Sequence, residues 1–137
     1  MIAEGTYNFT VSATDPDGNT YQDAVTIAVQ NRTQMDKLLK AKWDGMKTAL
    51  ASQNITTALN YFNEKAKPLY NDIFTALNDQ LPQLVQDMQE IQLIYLSNNV
   101  SKYRINKYEM AGGQMMTITY YIYFSKDNNG IWKIYQF

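Results

Sequence analysis

The segment Met115–Ile134, MMTITYYIYFSKDNNGIWKI, decides the fold of this chain. Residues 115–125 are rich in Thr, Ile and Tyr, the residue types that strands favour, and they predict a long β-strand. The sequence DNNG at 127–130 is a dense cluster of turn-forming residues, and 131–137 then predict a returning strand. The segment is therefore expected to be the last hairpin of an antiparallel sheet.

The sequence just before this segment predicts two further strands of the same sheet. Residues 91–96 are almost wholly apolar, and 100–110 follow them after a turn at Asn98-Asn99. A second turn, AGGQ at 111–114, joins 100–110 to the long strand. These strands predict an antiparallel meander.

Before the sheet, apolar residues recur at the spacing of α-helices. Thr33 and Asp36 resemble a capping box at the start of a first helix. Asn54 is placed to cap a second helix, Pro68 lies in the first turn of a third, and Pro82 begins a final helical turn or two. The apolar stripe of the first helix is Met35, Leu38, Leu39, Trp43, Met46 and Leu50. Helices followed by a meander predict an α+β domain.

This arrangement resembles the NTF2-like family of cone-shaped domains. The resemblance lies in Trp43 with ALA at 49–51, the helix at 54–62, and the strand–turn–strand pattern of 120–124 and 127–134. It covers residues 33–137 and implies three to four helices packed on a curved antiparallel sheet of about four strands. Enzymes of this family generally place a His, Asp or Tyr in the cone, and this chain contains no histidine.

The N-terminal residues predict a β-hairpin. Apolar and polar residues alternate over 7–14 and again over 24–29, with the turn sequence DPDGN at 15–19 between them. Ordering its ~20 residues costs roughly 1–2 kcal/mol each in backbone entropy. Its half-dozen large apolar side chains return about 2 kcal/mol each on burial. The hairpin therefore needs a surface to lie on, since isolated hairpins are marginally stable.

The hairpin resembles the last two strands of an immunoglobulin-like domain, of the polycystic-kidney-disease or cadherin-like type. The resemblance lies in GTYNFTV at 5–11, DGN at 17–19 and AVTI at 24–27. It implies a bacterial cell-surface or extracellular setting, with the earlier strands of that domain upstream. We therefore expect two parts: residues 1–31, a remnant of an immunoglobulin-like domain, and residues 32–137, an NTF2-like domain.

The turn of the hairpin also has the spacing that opens a calcium loop, through Asp15, Asp17 and Asn19. The twelfth position of such a loop requires a glutamate. Thr26 occupies that position here. The residues are better interpreted as a plain turn, so we expect neither a metal nor another cofactor.

The composition argues against several classes of function. The chain has 137 residues, a formal net charge of −1, and neither cysteine nor histidine. Disulfides and zinc–thiolate sites are thereby excluded, and the commonest general base is missing. The small charge creates no field that attracts nucleic acid, and no run approaches the ~20 apolar residues of a membrane span. We expect no enzyme, no nucleic-acid partner and no membrane insertion.

Four aromatic residues are candidates for lining a small-molecule pocket: Trp43, Tyr70, Tyr95 and Tyr103. Each combines an apolar body with a polar tip, as residues of ligand sites often do. Such residues are more often anchors within a core or at its edge. Trp43 in particular is expected to lie under the sheet, because its helical stripe is otherwise apolar.

The two faces of the long strand differ in chemistry. One face, which the helices should cover, carries Met116, Ile118, Tyr120, Ile122 and Phe124. The opposite, outer face carries Thr117, Thr119, Tyr121 and Tyr123. A sheet face open to water is normally polar, whereas tyrosines are typical of contact surfaces. We expect a protein partner or self-association, as in a dimer, through this outer face, or else the N-terminal hairpin lies on it.

The sequence favours a non-catalytic binding or assembly module of an exported or cell-surface multidomain protein. One alternative is an NTF2-like cone that binds or turns over a small molecule, and another is a structural spacer domain that ends the chain. A deep apolar cavity with convergent tyrosines would favour the small-molecule alternative. A filled cone with an aromatic outer sheet face would favour assembly.

Overall fold

The computed structural model describes residues 3, 5–29 and 31–137. The chain divides into two compact units, of which the first ends at Met35 and the second spans Asp36–Phe137. The division lies four residues after the boundary predicted at 31/32, inside the first helix. Each unit is described by itself below.

The first unit contains the predicted antiparallel hairpin. Strand β1, Gly5–Thr14, pairs with β2, Thr20–Val29, along its whole length. Gly18 in the turn has a φ of 87°, a conformation that glycine adopts without steric cost. Phe9 lies opposite Val25 and is 52% exposed, so the apolar face of the hairpin is open to solvent.

The second unit has a buried core of its own, so we expect it to fold without the hairpin. A shortened chain that begins at Asn31 should keep a cooperative thermal transition, because Asn31 still caps the first helix. Thermal melts of the full and shortened chains, followed by circular dichroism, compare the two. Loss of the cooperative transition on shortening would show that the hairpin belongs to the main core.

Four helices follow the hairpin, as the apolar periodicity predicts. They are α1, Arg32–Ala51; α2, Ile55–Leu59; α3, Lys67–Ala76; and α4, Leu81–Asp87. A short 3-10 turn at Asn78–Gln80 leads into α4. None of the helices in the described part of the chain is both long enough and apolar enough to cross a lipid bilayer.

The helix starts confirm most of the local signals and correct one. The Asn54 side chain accepts a hydrogen bond from the Thr57 N–H at 3.0 Å, which caps α2 as predicted. Helix α1 is capped by Asn31, whose side chain accepts from the N–H groups of Thr33 and Gln34, both at 3.1 Å. The prediction of a capping box at Thr33 is therefore wrong, because the capping residue, Asn31, lies two positions earlier.

The second unit ends in a four-stranded antiparallel meander. Its strands are β3, Gln92–Leu96; β4, Val100–Ala111; β5, Gln114–Lys126; and β6, Trp132–Gln136, in the order β3-β4-β5-β6. Strands β4 and β5 are joined by the glycines Gly112 and Gly113, with φ of 59° and 79°. Positive φ at both turn residues is the geometry of the tight hairpin turns that match strand twist.

Strands β4 and β5 extend well beyond their outer neighbours. Pairing of β3 with β4 begins at Gln92↔Arg104, and pairing of β6 with β5 begins at Tyr123↔Gln136. Residues 105–111 of β4 and 114–120 of β5 pair with each other only, as far as the described chain shows. We call this two-stranded projection, residues 105–120 with its glycine turn, the ribbon. It is roughly 23 Å long at the usual rise of a strand.

The core of the second unit lies between the helices and the base of the sheet. An aromatic cluster forms its centre, where the Phe62 ring lies 4.5 Å from Tyr70 and 5.8 Å from Phe74. The backbone at Phe62 also bridges to Ile134 of β6, which ties the helical layer to the sheet edge. The fully buried side chains include Leu39, Met46, Leu50, Phe62, Tyr103, Ile122, Phe124 and Ile134.

The prediction for the inner face of β5 is correct for only part of the strand. Ile122 and Phe124 are fully buried, whereas Tyr120 is 48% and Met116 is 53% exposed. These two exposed residues lie on the ribbon, where β4 and β5 extend beyond β3 and β6. Complete covering of this face by the helices, as predicted, is therefore wrong.

Candidate functional site

The structure does not bring the four predicted pocket residues together. Trp43 is buried, and its ring packs edge-on against the ring of Phe137 with 5.1 Å between the ring centroids. Tyr103 is buried and donates a hydrogen bond to Asp36 at 2.9 Å. Tyr95 is 54% exposed on the short edge strand β3. The fourth, Tyr70, lines a different surface cleft of about 400 Å³.

Trp43 does line a cavity, at the place where the helices meet the base of the ribbon. The cavity has a volume of about 220 Å³. Its lining is Trp43, Leu84, Asp87, Met88, Ile105, Lys107, Tyr120, Ile122 and Phe137. Seven of these nine residues are aliphatic or aromatic, so the cavity has an apolar wall with one acid and one base.

The indole N–H of Trp43 is buried without a hydrogen-bond partner among the described residues. The indole N–H of Trp132 shares this condition, and Trp132 does not line the cavity. An unsatisfied buried donor costs roughly 1–3 kcal/mol. That nitrogen has almost no solvent-accessible surface, so a molecule in the cavity would reach it only if the indole ring shifted.

The basic residue of the cavity lining, Lys107, is paired with a carboxylate. Lys107 forms an ion pair with Glu109 at 2.6 Å. The hydrogen bond from Lys107 to Glu109 and the negative charge of that carboxylate raise the pKa of Lys107 above its usual range. A lysine with a raised pKa stays protonated at neutral pH and does not act as a general base.

Tyr70 fixes the last residue of this chain rather than a ligand. Its hydroxyl donates to the Phe137 backbone oxygen and accepts from the Phe137 N–H, both at 2.8 Å. The two rings stack with 5.0 Å between centroids. Burial raises the pKa of the Tyr70 phenol, although its hydrogen bond to Phe137 acts in the opposite direction.

We expect Tyr70→Phe to lower the free energy of unfolding by about 1–3 kcal/mol, because the Phe137 N–H loses its acceptor.

The same variant should also change how the free energy of unfolding depends on pH in the alkaline range. An unfolded tyrosine loses its proton near pKa 10.0. Because the folded phenol holds its proton to higher pH, wild-type stability falls as pH rises above that value. Urea denaturation at about pH 8 and about pH 11 should show a steeper fall for wild type than for Tyr70→Phe. Equal slopes would contradict this role.

The predicted contact face lies partly on the ribbon and partly at its base. Thr117 and Thr119 are exposed on the ribbon, and Tyr121 is 45% exposed beside it. Tyr123 is half-buried at the base. The Lys102 ammonium lies 3.9 Å from the centre of the Tyr121 ring, an arrangement that fixes both side chains on the outer face.

The ribbon exposes large apolar residues that the sequence reasoning did not select. Met110 is 67%, Met115 is 70% and Tyr108 is 58% exposed. An added Cβ at Gly112 or Gly113 would meet nothing within 4 Å, so the turn projects away from the rest of the described chain. The signal in the sequence is the mismatch between two long central strands and two short outer ones.

The turn of the N-terminal hairpin uses Asp15 as an acceptor within the turn itself. Its carboxylate accepts from the N–H groups of Asp17 and Asn19, from the Asn19 side chain and from the Tyr21 hydroxyl. Hydrogen bonds from Asn19, the side chain first, lower the pKa of Asp15. These contacts are what the plain-turn interpretation requires.

No protein-family model and no curated protein sequence matches this chain. The likeness to NTF2-like and immunoglobulin-like domains therefore rests on the residues of this chain alone.

Proposed function

We propose that the chain is a non-catalytic assembly module of an exported or cell-surface protein, and that the ribbon is its contact surface. The observation that carries the proposal is the exposure of apolar side chains on both faces of the ribbon. The exposed residues are Tyr108, Met110, Met115, Met116 and Tyr120.

The energetics of the ribbon support this proposal. A two-stranded antiparallel ribbon without further neighbours is marginally stable in water. Monomeric proteins seldom leave contiguous apolar patches open, and methionines and tyrosines are enriched where proteins meet. A partner that covers the ribbon would supply the burial that its own chain does not.

The resemblances support the setting of the module. Helices followed by a meander, with GIWKI at 130–134, are similar to NTF2-like domains. The alternating strands around DPDGN at 15–19 are similar to the ends of immunoglobulin-like repeats of bacterial surface proteins. A surface protein built from such repeats has a use for a module that joins it to another protein.

Methionine footprinting tests the contact. Hydrogen peroxide oxidises accessible methionines, and mass spectrometry gives the rate at each residue. Met110, Met115 and Met116 should oxidise more slowly as the protein concentration rises from micromolar to near-millimolar. Met46, which is fully buried, is the internal control and should be slow throughout. Ribbon rates that do not depend on concentration would contradict assembly through the ribbon.

A second candidate function is the binding of a small apolar molecule in the Trp43 cavity. The apolar wall of the cavity favours it, and a ligand that shifts the Trp43 ring would also offer an acceptor to the unpartnered indole N–H. The volume argues against a larger compound, because ligand pockets usually measure about 300–1,000 Å³. The cavity of about 220 Å³ suits a single aromatic ring with a carbonyl group.

Titration with acetophenone, followed by the indole N–H signals in NMR spectra, tests this candidate. The Trp43 signal should move and saturate, while the Trp132 signal should stay in place. The comparison is matched because both indole N–H groups are buried and unpartnered. If neither signal moves at millimolar acetophenone, the cavity does not bind such a ligand.

A further inference from the structure

The two edges of the ribbon differ in how they are protected. The β4 edge carries Lys107 and Glu109, which form an ion pair. Residues 114–125 of β5 contain no charged residue and no proline. Proteins usually block an open strand edge with charges, prolines or bulges, because an unblocked edge pairs with another strand. The open edge of β5 has none of these along the ribbon.

The open part of the β5 edge has defined limits. It begins at Gln114, next to the glycine turn, and ends at Tyr121, because Ile122 is fully buried and β6 pairs with β5 from Tyr123↔Gln136 onward. Ile118 is the middle residue of the stretch 115–121. These seven residues are about 24 Å long at the rise of an antiparallel strand.

We propose that a second copy of this chain adds its own β5 to the open edge, antiparallel and related by a two-fold axis at Ile118. The inference rests on the proposed function, for which it names the partner and the pairing. The result is a sheet that runs continuously from one copy into the other.

The register that this symmetry imposes is consistent along the whole stretch. Met116 of one copy lies opposite Tyr120 of the other, on the face where both are already exposed. On the other face, Thr117 lies opposite Thr119. The glycine turn of each copy then lies near Gln136, the last residue of β6, of the other copy.

A second copy suits this edge because the edge is complementary to itself. The paired stretches carry no charge, so no like charges come to lie opposite one another. Two-fold pairing of identical strands also closes the assembly at a dimer, because each copy uses its open edge once.

Two single lysine substitutions on the same face of the ribbon test the proposal. Thr119→Lys places one ammonium group from each copy beside the two-fold axis, where like charges repel. Asn106→Lys is the matched control, because Asn106 pairs with Thr119 across the ribbon, on the β4 side. Both variants also remove the Thr119–Asn106 hydrogen bond.

Sedimentation velocity on the full chain gives the dimer dissociation constant for wild type and both variants. We expect a wild-type dimer, a dissociation constant raised about tenfold or more by Thr119→Lys, and one within about threefold of wild type for Asn106→Lys. Circular dichroism melts verify that both variants are folded.

Two results would overturn edge pairing while leaving ribbon contact intact. One is a dimer weakened equally by both variants, which indicates contact through the sheet face. The other is a dimer that Thr119→Lys does not weaken. A wild type that stays monomeric at near-millimolar concentration also overturns the pairing, and the proposed function falls with it only if methionine footprinting shows no protection.

Discussion

Trp43→Ala should lower the free energy of unfolding by about 3 kcal/mol, the lower end of the range for a buried large aromatic residue. The side chain is 1% exposed and packs edge-on against Phe137. Two features explain why the expected loss in the free energy of unfolding lies at the lower end of that range. The indole N–H has no partner to lose, and one side of the ring already faces a cavity.

Urea denaturation measures this change, and Tyr95→Ala is its control. Tyr95 is 54% exposed, so its replacement should change the free energy of unfolding by less than about 0.5 kcal/mol. A loss below about 1 kcal/mol for Trp43→Ala would place Trp43 among surface residues and contradict its role in the core.

Phe62→Ala should have the larger effect, about 4–5 kcal/mol. The ring is fully buried and lies within 6 Å of three other rings, those of Tyr70, Phe74 and Phe137. Phe62 has no polar atom in its side chain, so no unfavourable term is relieved when it is removed. The backbone on either side is fixed by bonds to Ile134, which limits how far the site collapses.

Phe62→Leu is the matched variant, because it keeps an apolar group and loses only part of the volume. It should cost about half as much as Phe62→Ala. Denaturant midpoints at equal transition slopes give both values. If Phe62→Ala costs less than Trp43→Ala, the centre of the core lies elsewhere.

The local features of this fold were predictable because their signals are contained in a few neighbouring residues. Asn54 caps α2, Pro68 and Pro82 lie in the first turns of α3 and α4, and the glycine pair at 112–113 forms a turn. The capping residue of α1 was missed by two positions, since Asn31 and Thr33 have equally suitable side chains.

The features that depend on distant parts of the chain were not predictable from pattern. Gly45 is one example, because from the sequence alone a glycine within a helix is expected only to destabilise that helix. In the structure it makes room for Tyr61, whose ring carbon would lie 2.7 Å from a Cβ at that position. The tyrosines predicted to line a pocket lie apart in the structure. Periodicity shows which face of a strand or helix a residue occupies, but it does not show which other element packs against that face.

The ribbon is an intermediate case. Long central strands and short outer ones were both visible in the sequence. How far the helices reach along β5 is a tertiary property, so the burial of Ile122 and the exposure of Tyr120 were not separable from the alternation alone.

The central claim, that the ribbon is a covered contact surface, is tested most directly by amide hydrogen exchange along β5. Alternate amides of residues 114–120 point away from β4 and have no partner strand within the described chain. If the ribbon is covered, these amides should exchange slowly at high protein concentration, at rates comparable to those of 122–125 in the core. If they exchange at every concentration as fast as the amide of Asn128 in the exposed turn, the ribbon is free and the account is contradicted.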